Sequence, residues 1–286
     1  MRRLPRRSLA TGGGGAYARG VTGAPPPLGD LLRGWRQRRR LSQLDLAGEA
    51  DISARHLSFV ETGRSSPSRE VVLRLAERLE LPLRERNALL LAAGYAPVFP
   101  ERPLQDPALG AAREAVGAVL AGHEPFPALA VDRHWNLVAA NRAVTPLLAG
   151  VAPELLASPV NVLRLSLHPG GLAPRVGNLG EWRAHLLARL AGQIARSGDA
   201  DLERLRCELA AYPVPDPARE AGPGPLPSQV FVPLRLSTAR GVLTLLSTTT
   251  VFGTPLDVTL SELAVEAFFP ADAATREALR TLTAES

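Results

Sequence analysis

A guanidinium can donate two parallel hydrogen bonds to guanine O6 and N7, worth about 1–3 kcal/mol of discrimination between bases. Arg55 has that chemistry, and its neighbours suit the same task. Ser53 and Ser58 carry hydroxyls, and Ala54 or Phe59 would meet a thymine methyl group. Arg64, a little further on, offers a cation of the kind that clamps a phosphate. No other part of the chain offers a comparable set. Cys207 is the sole cysteine, which excludes a disulfide framework and a cysteine-based zinc site. The surroundings of Cys207 do not look like the reactive-cysteine word of photosensing flavin domains. His134, His168 and His185 lack metal-ligand spacing and acidic company, although a haem's axial position stays open to them. There is no nucleophile elbow, phosphate loop or zinc-enzyme motif. The expectation is a protein that is not an enzyme and holds no cofactor and no metal.

For Arg55 to read bases, secondary structure must hold it against a groove. Leu28, Leu31, Leu32 and Trp35 form one apolar stripe at helical spacing. Arg36, Arg38, Arg39 and Arg40 fill the other face and the end, where cations suit the helix dipole. That arginine run reads either as a solvated face or as phosphate contacts. Ser42 with Asp45 is a capping-box-like start for a short second helix over 43–50, with Leu46 and Ala47 inward. Asp51 tolerates the left-handed conformation of a tight turn. Ser53 caps a third helix running to Thr62, with Leu57 and Val60 buried and Gly63 at the position wanting positive φ. A fourth helix carries Val71, Val72, Leu75, Ala76 and Leu79. Pro82 opens a fifth at its first turn, with Leu89 and Leu90 inside, ending at Gly94.

The second and third helices lie three or four residues apart, which is helix-turn-helix spacing. Here the resemblance becomes specific. The Ser42-Gln43 opening, the Glu61-Thr62-Gly63-Arg64 ending and the Pro67-Ser68 entry to the next helix resemble the phage Cro/repressor type, the Xre family. Asp51 stands where that family often has Gly. Docking of such a domain puts the N-terminal residues of its third helix toward major-groove base edges. Ser53, Ala54 and Arg55 would lie there, with Ser58 and Phe59 one turn later. The resemblance further implies that Gln43 hydrogen-bonds a phosphate. Blander readings stand beside these: Ser42 and Ser53 as caps and nothing else, Glu61 as structural, His56 as a surface or packing residue.

Pro97, Pro100, Pro103 and Pro107 break residues 95–108, so a linker is expected there. Leu109, Ala112, Val116, Val119 and Leu120 form one more helical stripe. Residues 128–143 read as a hairpin around Asp132-Arg133-His134, and helical patterns return near 144–149, 161–167, 179–196 and 200–211. Residues 213–228 hold six Pro and two Gly and read as a mobile loop. Strand-like runs follow at 229–237, 241–250 and 258–269, then a terminal helix over 273–282.

The order β-β, several helices, then β-β-β is that of PAS-like sensor domains. The words Val131-Asp132-Arg133-His134-Trp135-Asn136, Asn141-Arg142, the run 250–260 and Phe268-Phe269-Pro270-Ala271-Asp272 closely resemble the MmyB-like ligand-binding domain. That family follows an Xre-type domain in bacterial regulators, and the resemblance covers roughly 104–283. It implies a five-stranded antiparallel sheet packed on helices, with an apolar cavity for a small or acyl-chain ligand. Trp135, Leu163, Leu167, Trp182, Leu186 and Phe252 are the candidates to line it, each also readable as plain core.

Charge distribution fits this division. Residues 1–100 hold 17 Arg against 9 acids, net +8, and residues 101–286 hold 16 Arg against 19 acids, net −3. A basic front beside a mildly acidic back suits a nucleic-acid-binding domain joined to a non-binding one. All 33 basic residues are arginine, which reads as codon choice in a GC-rich genome. The fold class is therefore mainly α with an α+β second domain. A basic disordered tail at 1–27 precedes a five-helix helix-turn-helix domain at 28–94. After the linker at 95–108 comes a PAS-like domain at 109–286. No signal-peptide h-region or membrane-spanning stretch is evident, so a cytoplasmic, non-membrane protein is expected. The expected partners are a double-stranded DNA operator, a small apolar or fatty-acyl ligand and a second copy in a homodimer. The alternative is a DNA-tethered interaction protein whose back domain only dimerises or binds a protein.

Overall fold

The computed structural model of the chain describes residues 26–213, 231–253 and 255–285. Most of the expected tail and the expected loop at 213–228 lie outside these residues. The front of the chain is five helices: α1 (Leu28–Arg38), α2 (Gln43–Glu49), α3 (Ala54–Glu61), α4 (Arg69–Arg78) and α5 (Leu83–Ala92). Their starts follow from local chemistry. Ser42 Oγ accepts from the Asp45 amide at 3.1 Å, and Asp45 Oδ2 accepts from the Ser42 amide at 2.9 Å. Each bond satisfies an N–H that a helix start leaves orphaned. Ser53 caps α3 and Ser68 caps α4 in the simpler one-sided way. Between α2 and α3, Asp51 takes φ 51°, and past α3 Gly63 takes φ 71°, as the turn chemistry requires. Pro82 sits one residue earlier than its sequence suggests, as the N-cap of α5.

The apolar stripes converge on one core of Leu32, Trp35, Leu46, Leu57, Leu75, Leu79, Leu89 and Leu90. Close packing has one strict requirement. Gly29 of α1 lies against the last carbonyl of α3, where any Cβ would overlap the Glu61 carbonyl oxygen.

After α5 the chain runs without helix or strand to a 3₁₀ turn at Pro107–Leu109, yet it is pinned throughout. The Asn87 side chain donates to Phe99 O at 2.7 Å and accepts from the Val98 and Phe99 amides, each at 3.1 Å. Further on, Arg102 pairs with Asp257 at 3.0 Å. The back part then comprises α6 (Gly110–Gly122), β1 (Ala128–Val131), β2 (Leu137–Ala140), α7 (Val162–Leu167), α8 (Leu179–Ser197), α9 (Ala200–Ala211), β3 (Leu234–Thr238), β4 (Gly241–Val251), α10 (Val258–Ser261), β5 (Ala264–Pro270) and α11 (Ala273–Ala284). The run at 258–269 is thus not one strand. Asp257 accepts from the Thr259 amide and turns its first residues into α10.

The five strands make one antiparallel sheet in the order β2-β1-β5-β4-β3, a PAS-like arrangement. Strand alternation sorts its faces. Ala128, Ala130 and Val265 meet Val116 and Leu120 of α6. Val131, Leu234, Leu236, Leu243 and Leu245 face the larger core built with Trp182, Leu186 and Leu190 of α8. Val119, expected inward on α6, is 50% exposed, and the buried side of the helix is Val116 and Leu120.

Gly29→Ala should destabilise the front helices by about 1–3 kcal/mol through overpacking. Gly34→Ala, on the same helix with open space around it, should instead stabilise by about 0.5–1 kcal/mol. Urea unfolding followed by circular dichroism checks both, and equal shifts would refute the close approach.

Candidate nucleic-acid interface and ligand chamber

The N-terminal turn of α3 presents its side chains outward. Ser53 and Arg55 are exposed, and Ala54, Ser58 and Phe59 are half-buried. The Arg55 guanidinium lies over the Phe59 ring, 5.3 Å from its centroid. A stacked guanidinium uses its face and keeps its donor edge for other acceptors. Neither Arg55 nor Arg64 has an ion-pair partner among the described residues, and Arg64 is exposed just past α3. The backbone there is fixed, since the Arg64 amide bonds Phe59 O at 2.8 Å.

Arg33, Arg36 and Arg39 are committed within the protein, whereas Arg40, Arg69 and Arg78 are exposed and, like Arg55 and Arg64, have no ion pair among the described residues. Glu61, at the end of α3, is buried, and its carboxylate accepts a fork from Arg36 at 2.7 and 2.9 Å. Arg33 adds a charge at 3.7 Å and donates to Glu61 O. Burial alone would raise the Glu61 pKa. The hydrogen bonds from Arg36 and Gln43, with the charges of Arg36 and Arg33, outweigh it and hold the carboxyl below its ordinary range. Glu61 is therefore structural, as the blander sequence reading has it. Gln43, expected on a phosphate, gives its Nε2–H to Glu61 Oε2 at 2.8 Å and is half-buried. The arginine run following Arg36 is not simply a solvated face either. Arg38 stacks on Trp35, and Arg39 donates to Leu79 O at 2.9 Å and reaches Ala195 O and Arg196 O of the back part at 3.4 Å.

Within the larger core lies an apolar chamber of about 100 Å³. Trp135, Leu163, Trp182 and Leu186 line it, with Leu147, Leu165 and Phe268. Leu167 is buried but lies outside its wall, and Phe252 packs on the other sheet face with Val116 and Leu120. Two charged groups reach the wall, Arg189 and Glu266. They form a fork at 2.9 and 2.5 Å, in which Glu266 is almost wholly buried. The Trp182 indole N–H donates to Ser166 Oγ at 2.9 Å, so the aromatic wall is itself anchored.

A second cavity, about 700 Å³, opens between the front helices and the back part. It meets Trp35, Pro82 and Arg84 on one side and Arg133, Asp199 and Glu262 on the other. Arg84 of α5 crosses between them and forks onto Glu262 at 2.8 and 2.9 Å, and also pairs with Glu101. This bridge joins residues 178 positions apart, and no local pattern announces it. His134, read from sequence as lacking acidic company, bonds Asp199 at 2.9 Å, with Asp201 nearby. That hydrogen bond is the main cause holding Asp199 below the ordinary carboxylate range. The same Asp199 caps α9 and faces Arg133 at 3.7 Å, so its charge is already answered.

Two families match the chain. Residues 27–89 match a helix-turn-helix domain, and residues 112–282 match the MmyB-like transcription regulator ligand binding domain. No curated protein matches it. Neither family is enzymatic. Among the described residues, no helix is long and apolar enough to cross a membrane.

Removing Glu61 leaves Arg36 without its partner, and breaking such a buried pair costs about 3–5 kcal/mol. Glu61→Ala should therefore lose that much at pH 7 in urea unfolding. The sign with pH follows from the lowered pKa. The wild-type advantage is full above the ordinary Glu value of about 4.3 and shrinks as pH falls below it. A variant deficit that stays constant down to acid unfolding would refute the ion pair.

Proposed function

The chain belongs to the MmyB-like transcription regulator ligand binding domain family, and from that premise we propose that it is a sequence-specific, ligand-responsive regulator of transcription. One contrast carries the DNA reading. Arg33, Arg36 and Arg39 are spent on carboxylates and carbonyls inside the protein, whereas Arg55 and Arg64, placed in the first turn of α3 and just past its end, stand outward without ion pairs. Arg55, poised on Phe59, is the base reader, with Ser53, Ala54 and Ser58 beside it. Arg64 clamps a phosphate. Gln43 supports the reading helix through Glu61, and any phosphate contact would have to be made with the rest of its amide.

The back domain takes a small apolar or acyl-chain ligand in the chamber walled by Trp135, Leu163, Trp182 and Leu186. The apolar lining supports this. At about 100 Å³ the chamber would have to widen to hold such a ligand, because ligand sites usually measure about 300–1,000 Å³. That same small volume favours a second reading, in which the back domain only dimerises or binds a protein. Organic extraction of purified protein followed by mass spectrometry separates the two. A stoichiometric apolar molecule supports the first, and its absence together with no uptake of an added acyl chain supports the second. The regulator works as a homodimer in the cytoplasm. A single recognition helix reads few base pairs, and two half-sites about 34 Å apart supply the specificity.

Gel-shift titration of the full chain should show log K falling with log salt by about 0.9 per phosphate neutralised. In selection from a random DNA library, Arg55→Ala should relax preference at one position per half-site. Arg64→Ala should weaken all sequences alike. An unchanged motif for Arg55→Ala would remove that residue from the readers.

A further inference from the structure

The two cavities stand back to back. Of all their wall residues, only Trp135 and Arg189 belong to both. On one side of this pair is the apolar chamber of about 100 Å³, and on the other the interdomain cleft of about 700 Å³. A chamber that must grow has an adjoining void in that direction.

The partition is held by bonds that lead toward the DNA-binding domain. Trp135 takes φ 66°, an unfavourable region for a bulky residue that surrounding contacts must enforce. Its indole N–H donates to Gln193 Oε1 at 2.8 Å, and the Arg189 guanidinium lies 4.5 Å from its ring centre. Gln193 in turn donates to Arg133 O at 2.8 Å. The Arg133 side chain reaches Glu262 at 3.9 Å, and Glu262 carries the Arg84 fork from α5. Helix α8 touches both ends of this arrangement. It contributes Trp182 and Leu186 to the chamber, Arg189 and Gln193 to the partition, and the Ala195 and Arg196 carbonyls that Arg39 grips.

We propose that Trp135 and Arg189 form a movable partition, and that filling the chamber pushes it into the cleft and loosens the Arg133–Glu262–Arg84 bridge that docks the helix-turn-helix domain. This rests on the reading that the chamber takes a ligand. Occupancy then frees the reading helix from one fixed placement, with no contact between ligand and DNA-binding domain. The two states differ in a discrete set of bonds, which is what a coupling between distant sites needs.

The test measures interdomain distance in the full chain. Cys207 is the sole cysteine and is exposed on α9, so a spin label there and a second at Glu77→Cys on α4 report docking by pulsed electron resonance. The free protein should give one narrow distance. Dodecanoic acid, used as the probe, should broaden it, raising the undocked fraction at least about fivefold, the low end of ordinary coupling. Gln193→Met, which cuts both bonds of the partition, should broaden it without probe. Trp135→Phe, which removes the indole N–H and leaves the Arg189–Glu266 fork intact, should do the same if Gln193→Met proves unfolded by circular dichroism. Probe bound by calorimetry with an unchanged narrow distance would overturn the partition and leave the ligand reading standing. No probe bound would count against the ligand reading, and a folded partition variant that still gives a narrow distance would overturn the relay independently.

Discussion

A guanidinium closing as a fork on a carboxylate is the interaction that fastens this chain together. Arg36 forks onto Glu61 and ties α1 to α3. Arg189 forks onto Glu266 and ties α8 to β5. Arg84 forks onto Glu262 and ties one domain to the other. Arg164 does the same to Glu208, joining α7 to α9 at 2.7 Å for each bond. Two parallel bonds fix direction as well as distance, which a point-charged ammonium would not do. Burying a charge costs several kcal/mol unless its partner goes with it. The forks at Glu61, Glu262 and Glu266, whose carboxylates are mostly buried, therefore constrain both elements they join. Arg55 and Arg64, which the DNA reading uses, are among the arginines left outside such forks.

Signals acting within one helical turn were legible in the sequence. Ser42, Ser53 and Ser68 cap where their spacing says, and the outward face of α3 follows from the burial of Leu57 and Val60 on its other side. What the arginines do was not legible. Arg36 and Arg39 are alike in type and lie on one helix and its end, but their fates depend on groups 25 and 40 positions away, whereas Arg55 meets Phe59 one helical turn on. Gln43 shows the same limit. Its position at the start of α2 suited a phosphate, but Glu61 arrives beside it only once α3 has packed.

In the back domain the order of strands and helices was readable because each element carries its own period. The run beginning at Val258 was misleading, since its β-branched residues suit a strand while Asp257 caps a turn of helix. Cavity walls were harder still. Trp135, Leu163, Trp182 and Leu186 meet around one space, but Phe252 falls on the opposite sheet face, and Leu167 faces solid core. Apolar residue type says that a side chain is inside, and it carries no information about whether an empty volume lies next to it.

Helix α8 has 19 residues and no proline or internal break, ending where Gly198 turns at φ 65°. It is a lever. From Trp182 at the chamber to Ala195 at the domain contact is roughly 20 Å at 1.5 Å per residue, so a tilt of about 3° moves the far end by about 1 Å. The Arg39 bonds to that end measure 3.4 Å, already at the long limit for such contacts, and another ångström breaks them. A rod of this length converts a side-chain-sized disturbance at one end into the making or breaking of a joint at the other.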